Sequence, residues 1–166
     1  MKSIFILIRG NSGSGKTVLA NELQKLFGYK ECLVLHQDNI RRDILHANDH
    51  IGTPAVDLIQ TLVSFGESHY KIIILEGILR KDVYEEMLLK LIKKFDNQAY
   101  VYYLDESFNN TVKYNQMKNE PFSTIDLKKW WRGNDYLNYK EQRLSSGNTQ
   151  VFSEKIMLDI VQNDTI

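Results

Sequence analysis

Gly10-Asn11-Ser12-Gly13-Ser14-Gly15-Lys16-Thr17 matches the pattern G-x-x-x-x-G-K-[ST], in which each defined position has a physical role. The glycines allow the backbone to curl tightly, so that its N–H groups point inward and form a concave nest for phosphate oxygens. Lys16 supplies a positive charge for the outer phosphates, and Thr17 supplies a hydroxyl group for Mg²⁺. The eight residues therefore predict a phosphate-binding loop.

The residues on either side of this loop are those that such a loop requires. Residues 4–8, Ile-Phe-Ile-Leu-Ile, predict a buried strand. After the loop, apolar residues recur at helical spacing, at Val18, Leu19, Leu23, Leu26 and Phe27. A helix that begins here directs its positive dipole end at a bound phosphate. We therefore expect the nucleotide to be bound by residues 10–18, from Gly10 through Val18.

The composition narrows the class of protein. A length of 166 residues favours one domain with a sizeable core. Lys plus Arg and Asp plus Glu number 21 each, so the whole chain has no bias toward nucleic acid or anionic membranes. Cys32 is the only cysteine, so an internal disulfide is ruled out and no disulfide-linked partner is expected. The low cysteine content favours a reducing, cytoplasmic compartment. No apolar run has the length of a signal peptide or a membrane span.

Strand-like and helix-like segments alternate along the chain. Short apolar runs rich in Ile, Val, Leu or Tyr predict strands at 3–9, 32–37, 71–76, 99–104 and 155–161. Helical patterns predict helices at 16–28, 39–47, 54–66, 81–95, 107–119, 124–131 and 135–144. This alternation predicts an α/β fold with a doubly wound, five-stranded parallel sheet and ligands at the carboxyl ends of the strands. Because the chain ends just after the last predicted strand, no helix is expected to cover it.

The pattern changes in the stretch from about 111 to 147. This stretch is polar, mixed in charge, and interrupted by Pro121, Gly133 and Gly147. We interpret it as a helical lid inserted over the site rather than as a second domain. Residues 1–166 are therefore expected to form a single domain with a lid at about 111–147.

Two acidic residues occur where strands are predicted to end. Asp38 follows the second predicted strand, and Glu76 ends the third. Phosphoryl transfer needs one acid near the Mg²⁺ ion and another that orients or deprotonates the acceptor hydroxyl. We expect Thr17 and Glu76 to hold the metal and Asp38 to act on the acceptor, with a helix N-cap as the alternative role of Asp38.

At this point the chain resembles the small P-loop kinases, a group that includes polynucleotide kinase, zeta toxin and chloramphenicol phosphotransferase. The resemblance rests on the phosphate-binding loop and on Asp38-x-x-Arg41-Arg42-x-x-Leu45 after the second strand. Residues 74–79, Ile-Leu-Glu-Gly-Ile-Leu, are also similar to the third strand of uridine-kinase-like proteins. The resemblance covers most of residues 1–120.

The resemblance implies an ATP-dependent, Mg²⁺-requiring kinase that acts on a hydroxyl of a small molecule or nucleotide. In that group, the acid matching Asp38 acts as base toward the acceptor hydroxyl, and the arginine matching Arg41 contacts substrate or phosphate. The acceptor is accordingly expected to contact Asp38, Arg41, Arg42, Glu76 and Arg80.

Such kinases usually place arginines on the helix after strand four, where they neutralise charge on the transferring phosphoryl group. Here that helix offers Lys113, Tyr114 and Lys118. A lysine ammonium group is a point charge and cannot bind two phosphate oxygens side by side as the planar guanidinium group of arginine does. Arg132 and Arg143 are the remaining candidates, each with a solvated surface position as the alternative. The expected catalytic set is Lys16, Asp38, Arg41 and Arg132.

Two other functions remain to be weighed against a kinase. A switch GTPase would carry an Asn/Thr-Lys-x-Asp motif after a late strand, and the sequence has none in that place. A non-catalytic nucleotide-binding module of a toxin–antitoxin type would retain the fold without turnover. The intact Lys16-Thr17 pair and the two acids, Asp38 and Glu76, argue against such degeneracy.

Overall fold

A computed structural model describes residues 2–163, and a five-stranded sheet forms its centre. The strands are β1 (Ile4–Gly10), β2 (Cys32–His36), β3 (Ile72–Gly77), β4 (Ala99–Leu104) and β5 (Glu141–Leu144). They lie in the order β2-β3-β1-β4-β5, and each neighbouring pair is parallel. The predicted α/β fold with a five-stranded parallel sheet is confirmed.

Seven helices connect and cover these strands in the part of the chain that the structure describes. They are α1 (Lys16–Phe27), α2 (Gln37–Asn39), α3 (Ala55–His69), α4 (Lys81–Phe95), α5 (Phe108–Gln116), α6 (Thr124–Trp130) and α7 (Thr149–Asn163). A π-helical turn, Ile40–Ile44, continues α2. Within residues 2–163, no helix is both long enough and apolar enough to cross a membrane.

Two hydrophobic cores cover the two faces of the sheet. Successive side chains of a strand point to opposite faces, so Phe5 and Leu7 of β1 belong to one core and Ile6 and Ile8 to the other. All four are completely buried. The first core contains the apolar sides of α3 and α4, and the second contains those of α1 and α7. This doubly wound arrangement places the carboxyl ends of the parallel strands at one edge.

The prediction of a strand at 155–161 was wrong, because these residues lie within α7. Phe152, Ile156 and Ile160 recur every four residues and are buried, whereas Leu158 is 58% exposed. A spacing of four is the period of one helix face, while a strand would bury every second residue. Since α7 packs against α1, the expectation that no helix would follow the last strand was also wrong.

The fifth strand is β5, which lies inside the stretch 135–144 that was predicted as a helix. It pairs only with β4 and is therefore an edge strand, and Leu144 is its one buried apolar residue. Just before it, Asn138 and Lys140 have positive φ angles, which a right-handed helix does not allow. The predicted lid at 111–147 thus contains α6 and the turns after it, and its end includes a strand of the sheet.

Candidate active site

The phosphate-binding loop connects β1 to the start of α1. Gly13 has a φ of +79°, and a Cβ atom there would lie 2.7 Å from the carbonyl oxygen of Thr111, so the position requires glycine. Gly15, directly before α1, has a φ of +90°. Lys16 is buried, and its Nζ donates a hydrogen bond to the carbonyl oxygen of Asn11 (2.8 Å). The loop therefore curls around the Lys16 ammonium group at a helix N-terminus.

Burial lowers the pKa of Lys16 below its ordinary value of 10.5. The nearby carboxylates of Glu76 and Asp38 act in the opposite direction, and the positive charge of Lys118 adds to the lowering. A bound polyphosphate would favour the charged form of this lysine.

A cavity of about 710 Å³ opens in front of the loop, and we call it the larger cavity. Its lining includes the loop and first helical residues Ser12, Gly13, Ser14, Gly15, Lys16, Thr17 and Val18. Gly10 and Asn11 were predicted to bind nucleotide but do not line it. Asn148, directly before α7, and Phe152, in the first turn of α7, form another part of its wall. The volume lies within the range of roughly 300–1,000 Å³ that is typical of small-molecule sites.

Thr17 and Glu76 meet on the loop side of the larger cavity. Thr17 Oγ1 donates a hydrogen bond to Glu76 Oε1 (3.0 Å), and Glu76 is 4% exposed. His36, opposite Glu76 on the neighbouring strand, has its Nδ1 2.7 Å from the same oxygen. No cluster of three or more His, Cys, Asp or Glu side chains within residues 2–163 forms a metal site. One hydroxyl and one buried carboxylate fit Mg²⁺, which keeps water and phosphate ligands.

Asp38 lies within α2, and two arginines of the π-helical turn face it. Asp38 Oδ1 is 3.3 Å from Arg41 Nη2 and 3.7 Å from Arg42 Nε. Arg41 Nε is 4.0 Å from Asp49 Oδ1, which also accepts a hydrogen bond from the Tyr84 hydroxyl (2.6 Å). The N-cap of α2 is the residue at position 36, so Asp38 is not a helix cap here. Its carboxylate, 49% exposed, is instead held by Arg41 at the end of β2.

A smaller cavity of about 270 Å³ adjoins the larger one. Of the residues predicted to contact the acceptor, it is lined by Asp38, Arg41, Arg42 and Arg80. Arg132 lines this smaller cavity as well, and not the larger one. Glu76 lines the larger cavity, beside the loop, and does not reach the smaller cavity.

The two cavities meet at residues that line both of them, which are Ser12, Asp38, Ile78 and Phe122. Among these four, Asp38 alone is charged. Phe122 is fixed by Asn115, whose side-chain amide donates to the Phe122 carbonyl oxygen (2.7 Å) and accepts from its N–H (3.1 Å). These two hydrogen bonds fix the Phe122 main chain to α5, and the Phe122 ring forms part of the wall where the two cavities meet.

The segment after α6 is tied to the core at two places. The Asn11 side-chain amide donates to the carbonyl oxygen of Arg132 and accepts from its main-chain N–H (both 2.8 Å). Arg9, completely buried in β1, forms ion pairs with Asp135 (2.8 Å) and Glu141 (2.9 Å). These contacts explain why Asn11 does not line the larger cavity: its side chain is turned toward Arg132.

Of the lid cations Lys113, Lys118, Arg132 and Arg143, Lys118 is the one that lines the larger cavity. Tyr114 and Lys118 line the larger cavity, and Lys118 is close enough to lower the pKa of Lys16. Lys113 and Arg143 line neither cavity. Lys118 is therefore placed to meet a bound triphosphate from the lid side.

The two tryptophans pack against aromatic side chains of the lid. Trp130 meets Phe122 edge-on at 5.1 Å between ring centroids, and Trp131 meets Phe108 in the same way at 5.3 Å. These edge-on contacts anchor the apolar side of the lid. Trp130 also lines the smaller cavity.

Sequence reasoning missed three parts of this site. His36 ends β2 at the level of Glu76, but the sequence does not state the register of two separate strands. Phe122 lies in a polar stretch without a recognisable motif. Phe152 belongs to α7, and the residues that follow it were taken for a strand. The one sequence signal for the helix α7 was the recurrence of apolar residues every four positions, at Phe152, Ile156 and Ile160.

The phosphate-binding loop lies between the carboxyl end of β1 and the start of α1, in a parallel sheet of order 2-3-1-4-5. This combination defines a P-loop NTPase fold. No protein family and no curated protein matches the sequence. Solved structures match the fold. APS kinase from Mycobacterium tuberculosis, in complex with AMPPNP and APS, has a TM-score of 0.71 at 13% identity and covers 96% of this chain and 98% of its own.

Two further solved structures are similar over nearly the whole chain. A gluconokinase from Sinorhizobium meliloti has a TM-score of 0.67 at 12% identity, with 96% of this chain and 92% of that chain covered. The tunicamycin resistance protein of Deinococcus radiodurans has a TM-score of 0.64 at 16% identity, with 96% of each chain covered. The chain thus has the fold of the small P-loop kinases, as the resemblance predicted.

Proposed function

We propose that this protein is a kinase that transfers the γ-phosphoryl group of ATP, with Mg²⁺, to a hydroxyl of a small molecule or nucleotide. The observation behind this proposal is the position of Asp38. Its carboxylate lies at the junction of the larger cavity, which contains the phosphate-binding loop, and the smaller cavity, which contains Arg41 and Arg42. A kinase needs a carboxylate at the point where an acceptor hydroxyl approaches a bound γ-phosphate.

In this proposal the larger cavity holds ATP, with its triphosphate on the loop. Lys16 neutralises phosphate charge from the side of the phosphate-binding loop, and Lys118 does so from the side of the lid. Thr17 and Glu76 would hold Mg²⁺, which when bound neutralises charge on the phosphate oxygens. The contact from His36 orients the Glu76 carboxylate.

The acceptor hydroxyl would enter from the smaller cavity and meet Asp38. Because Arg41 holds Asp38 Oδ1, the other carboxylate oxygen is left to accept the hydroxyl proton. The new bond between the acceptor oxygen and the γ-phosphorus forms as the bond from that phosphorus to the bridging oxygen breaks, and ADP leaves with the bridging oxygen. In a largely dissociative transfer, orienting the hydroxyl matters more than removing its proton early. Arg41 therefore acts in part by positioning Asp38.

We propose that residues 1–166 form one kinase-like domain. We also propose that the part that moves over the site is shorter than the stretch 111–147 and consists of residues 108–130. Helices α5 and α6, within 108–130, bring Tyr114, Lys118 and Phe122 to the cavities. The segment from 132 to 144 is bound to the core or belongs to the sheet. The cytoplasmic location inferred from composition stays a prediction.

A phosphate-transfer screen tests the proposed function. The protein is incubated with γ-labelled ATP, Mg²⁺ and a panel of hydroxyl acceptors, and we expect label in one chemical class, in step with ADP release. Asp38→Asn should abolish most of the transfer. Asp43→Asn is the matched control, because Asp43 is an exposed acid of the π-helical turn that continues α2, and it lines neither cavity.

The other outcomes contradict the proposal in distinguishable ways. ATP hydrolysis that no acceptor changes would indicate a nucleotide-hydrolysing switch. ATP binding without any turnover would indicate a non-catalytic nucleotide-binding module.

A further inference from the structure

We infer that the acceptor carries a phosphate or carboxylate group besides its hydroxyl, and that Lys129 and Arg132 bind this anionic group in the smaller cavity. The inference rests on the proposed kinase function for its hydroxyl transfer, but the anion site itself is independent of turnover. It names a class of substrate: a small hydroxylated anion rather than a neutral sugar, nucleoside or antibiotic.

The first support is the unequal charge of the smaller cavity. Five cationic side chains line it: Arg41, Arg42, Arg80, Lys129 and Arg132. Two carboxylates line it, those of Asp38 and Asp49. The whole chain has a formal net charge of zero, so this excess of positive charge is local. A concave surface lined by one sign of charge concentrates ligands of the opposite sign.

Three of the five cations already have carboxylate partners. Arg41 and Arg42 lie 3.3 and 3.7 Å from Asp38. Arg80 pairs with Asp82, which lies outside the smaller cavity. These ion pairs hold the three side chains in place, although the buried Arg41 Nε has no hydrogen-bond partner among the described residues.

Lys129 and Arg132 differ from the other three. Within residues 2–163, neither side chain makes an ion pair or donates a hydrogen bond, and the positive charge of Arg132 only helps Arg80 to lower the pKa of Asp82. Arg132 is nevertheless well placed, because the Asn11 side chain fixes its main chain on both sides. Its guanidinium group therefore projects from a fixed backbone toward the smaller cavity, where a phosphate or carboxylate would provide the paired oxygens that a guanidinium prefers.

The dimensions of the smaller cavity limit the size of the acceptor. Its volume of about 270 Å³ is just below the range of roughly 300–1,000 Å³ typical of small-molecule sites. Phe122 and Trp130 close part of its wall with an edge-on pair of rings. A compact hydroxylated anion fits this space better than a polymer end with several residues bound.

A binding experiment tests the anion site without any turnover. The full chain is saturated with Mg²⁺ and AMPPNP to occupy the phosphate-binding loop. Inorganic phosphate or acetate is then titrated at constant ionic strength. Tryptophan fluorescence reports binding in the background Trp131→Phe, in which Trp130, which lines the cavity, is the one remaining tryptophan. Loss of one charged hydrogen-bond donor should weaken binding by at least about tenfold.

The variants are Lys129→Ala and Arg132→Ala, with Lys128→Ala as the matched control. Lys128 is the exposed neighbour of Lys129 on α6 and lines neither cavity. We expect weaker binding of phosphate, acetate or both in the two test variants and unchanged binding in the control. The anion that responds identifies the group as a phosphate or a carboxylate. Equal anion binding by the parent protein with Trp131→Phe alone and by all three variants would overturn the proposed anion site.

A second experiment separates the anion site from the kinase function. Glycerol, glycerate and glycerol 3-phosphate share hydroxyl groups and differ in charge, so they are compared as acceptors of labelled phosphate. Preference for a charged member, lost in Arg132→Ala, supports the inference. Preference for glycerol, or for an oligonucleotide 5′-hydroxyl over every small anion, overturns it. Anion binding without transfer to any acceptor would preserve the anion site and contradict the kinase proposal.

Discussion

Asn11 and Arg132 are joined by two hydrogen bonds of 2.8 Å, although they lie 121 residues apart in the sequence. Asn11 is the second residue of the phosphate-binding loop, and Arg132 follows the last turn of α6. The loop expected to hold the triphosphate is therefore bound directly to the segment that brings a guanidinium group to the smaller cavity. A shift of the loop on nucleotide binding would also move Arg132.

Asn11→Ala should therefore impair transfer more than it impairs ATP binding. The change removes both hydrogen bonds and leaves the main chain of Arg132 without partners, while the Lys16 contact to the main chain at position 11 is retained. We expect kcat to fall by about tenfold or more, with a smaller change in the Kd for ATP. Asn11→Asp keeps the oxygen that accepts the hydrogen bond from the Arg132 N–H, so its kcat should fall less than that of Asn11→Ala. Equal loss of binding and kcat in Asn11→Ala would contradict this role.

Asp38→Asn should leave folding and ATP affinity nearly unchanged and lower transfer by roughly 10²- to 10⁴-fold. The amide has the size of the carboxylate but cannot accept the proton of the acceptor hydroxyl. Circular dichroism, nucleotide titration and the labelled transfer assay measure the three quantities. If this variant were as active as Asp43→Asn, the base role would have to be assigned to Glu76.

ATP binding should be coupled to proton uptake by Lys16 at alkaline pH. Burial lowers the pKa of Lys16 in the free protein below 10.5, and bound phosphate favours the charged form. Affinity should therefore fall as the pH rises through the lowered pKa toward 10.5, because binding must then restore the proton. Calorimetry in two buffers of different protonation enthalpy measures the uptake.

The matched comparison uses Lys16→Ala and Lys25→Ala. Lys16→Ala should bind ATP more weakly, transfer at least about 10²-fold less, and show no such proton uptake. Lys25, exposed on the same helix, should behave as the unmodified protein. The same alkaline proton uptake in Lys16→Ala would show that another group is responsible.

Arg9→Ala should destabilise the fold by about 3–5 kcal/mol, because it leaves the Glu141 carboxylate buried without its partner. The side chains of Arg9 and Glu141 are 0% and 2% exposed. Lys71→Ala removes an ion pair with the exposed Glu31 and should cost under about 1 kcal/mol. Urea unfolding measures both changes. A small loss for Arg9→Ala would show that Glu141 finds water or another donor.

Nucleotide should protect the turn between α5 and α6 from proteolysis. Met117 is 79% exposed, and the neighbouring Lys118 lines the larger cavity. We expect tryptic cleavage after Lys118 to slow when AMPPNP and Mg²⁺ are added, because closure would order this turn. Cleavage after Lys30, in the exposed turn between α1 and β2, serves as the reference. Equal slowing at both sites, or at neither, would contradict closure of α5 and α6.

The sequence alone determined the centre of the fold and one side of the site. The phosphate-binding loop, β1 to β4 and helices α1, α3 and α4 are local patterns, in which glycine spacing and apolar periodicity act within a few residues. The positions of Asp38 and Glu76 at strand ends followed from the same patterns, since parallel strands place their carboxyl ends at one edge.

The tertiary structure decided what depends on long-range pairing. β5 has one buried apolar residue and becomes a strand because β4 offers it a backbone partner, while α7 is a helix because α1 and the sheet bury its apolar side. Likewise, no local pattern could place Arg132 beside the smaller cavity. Its position depends on hydrogen bonds to Asn11, and the contact between two such distant residues exists only once the chain is folded.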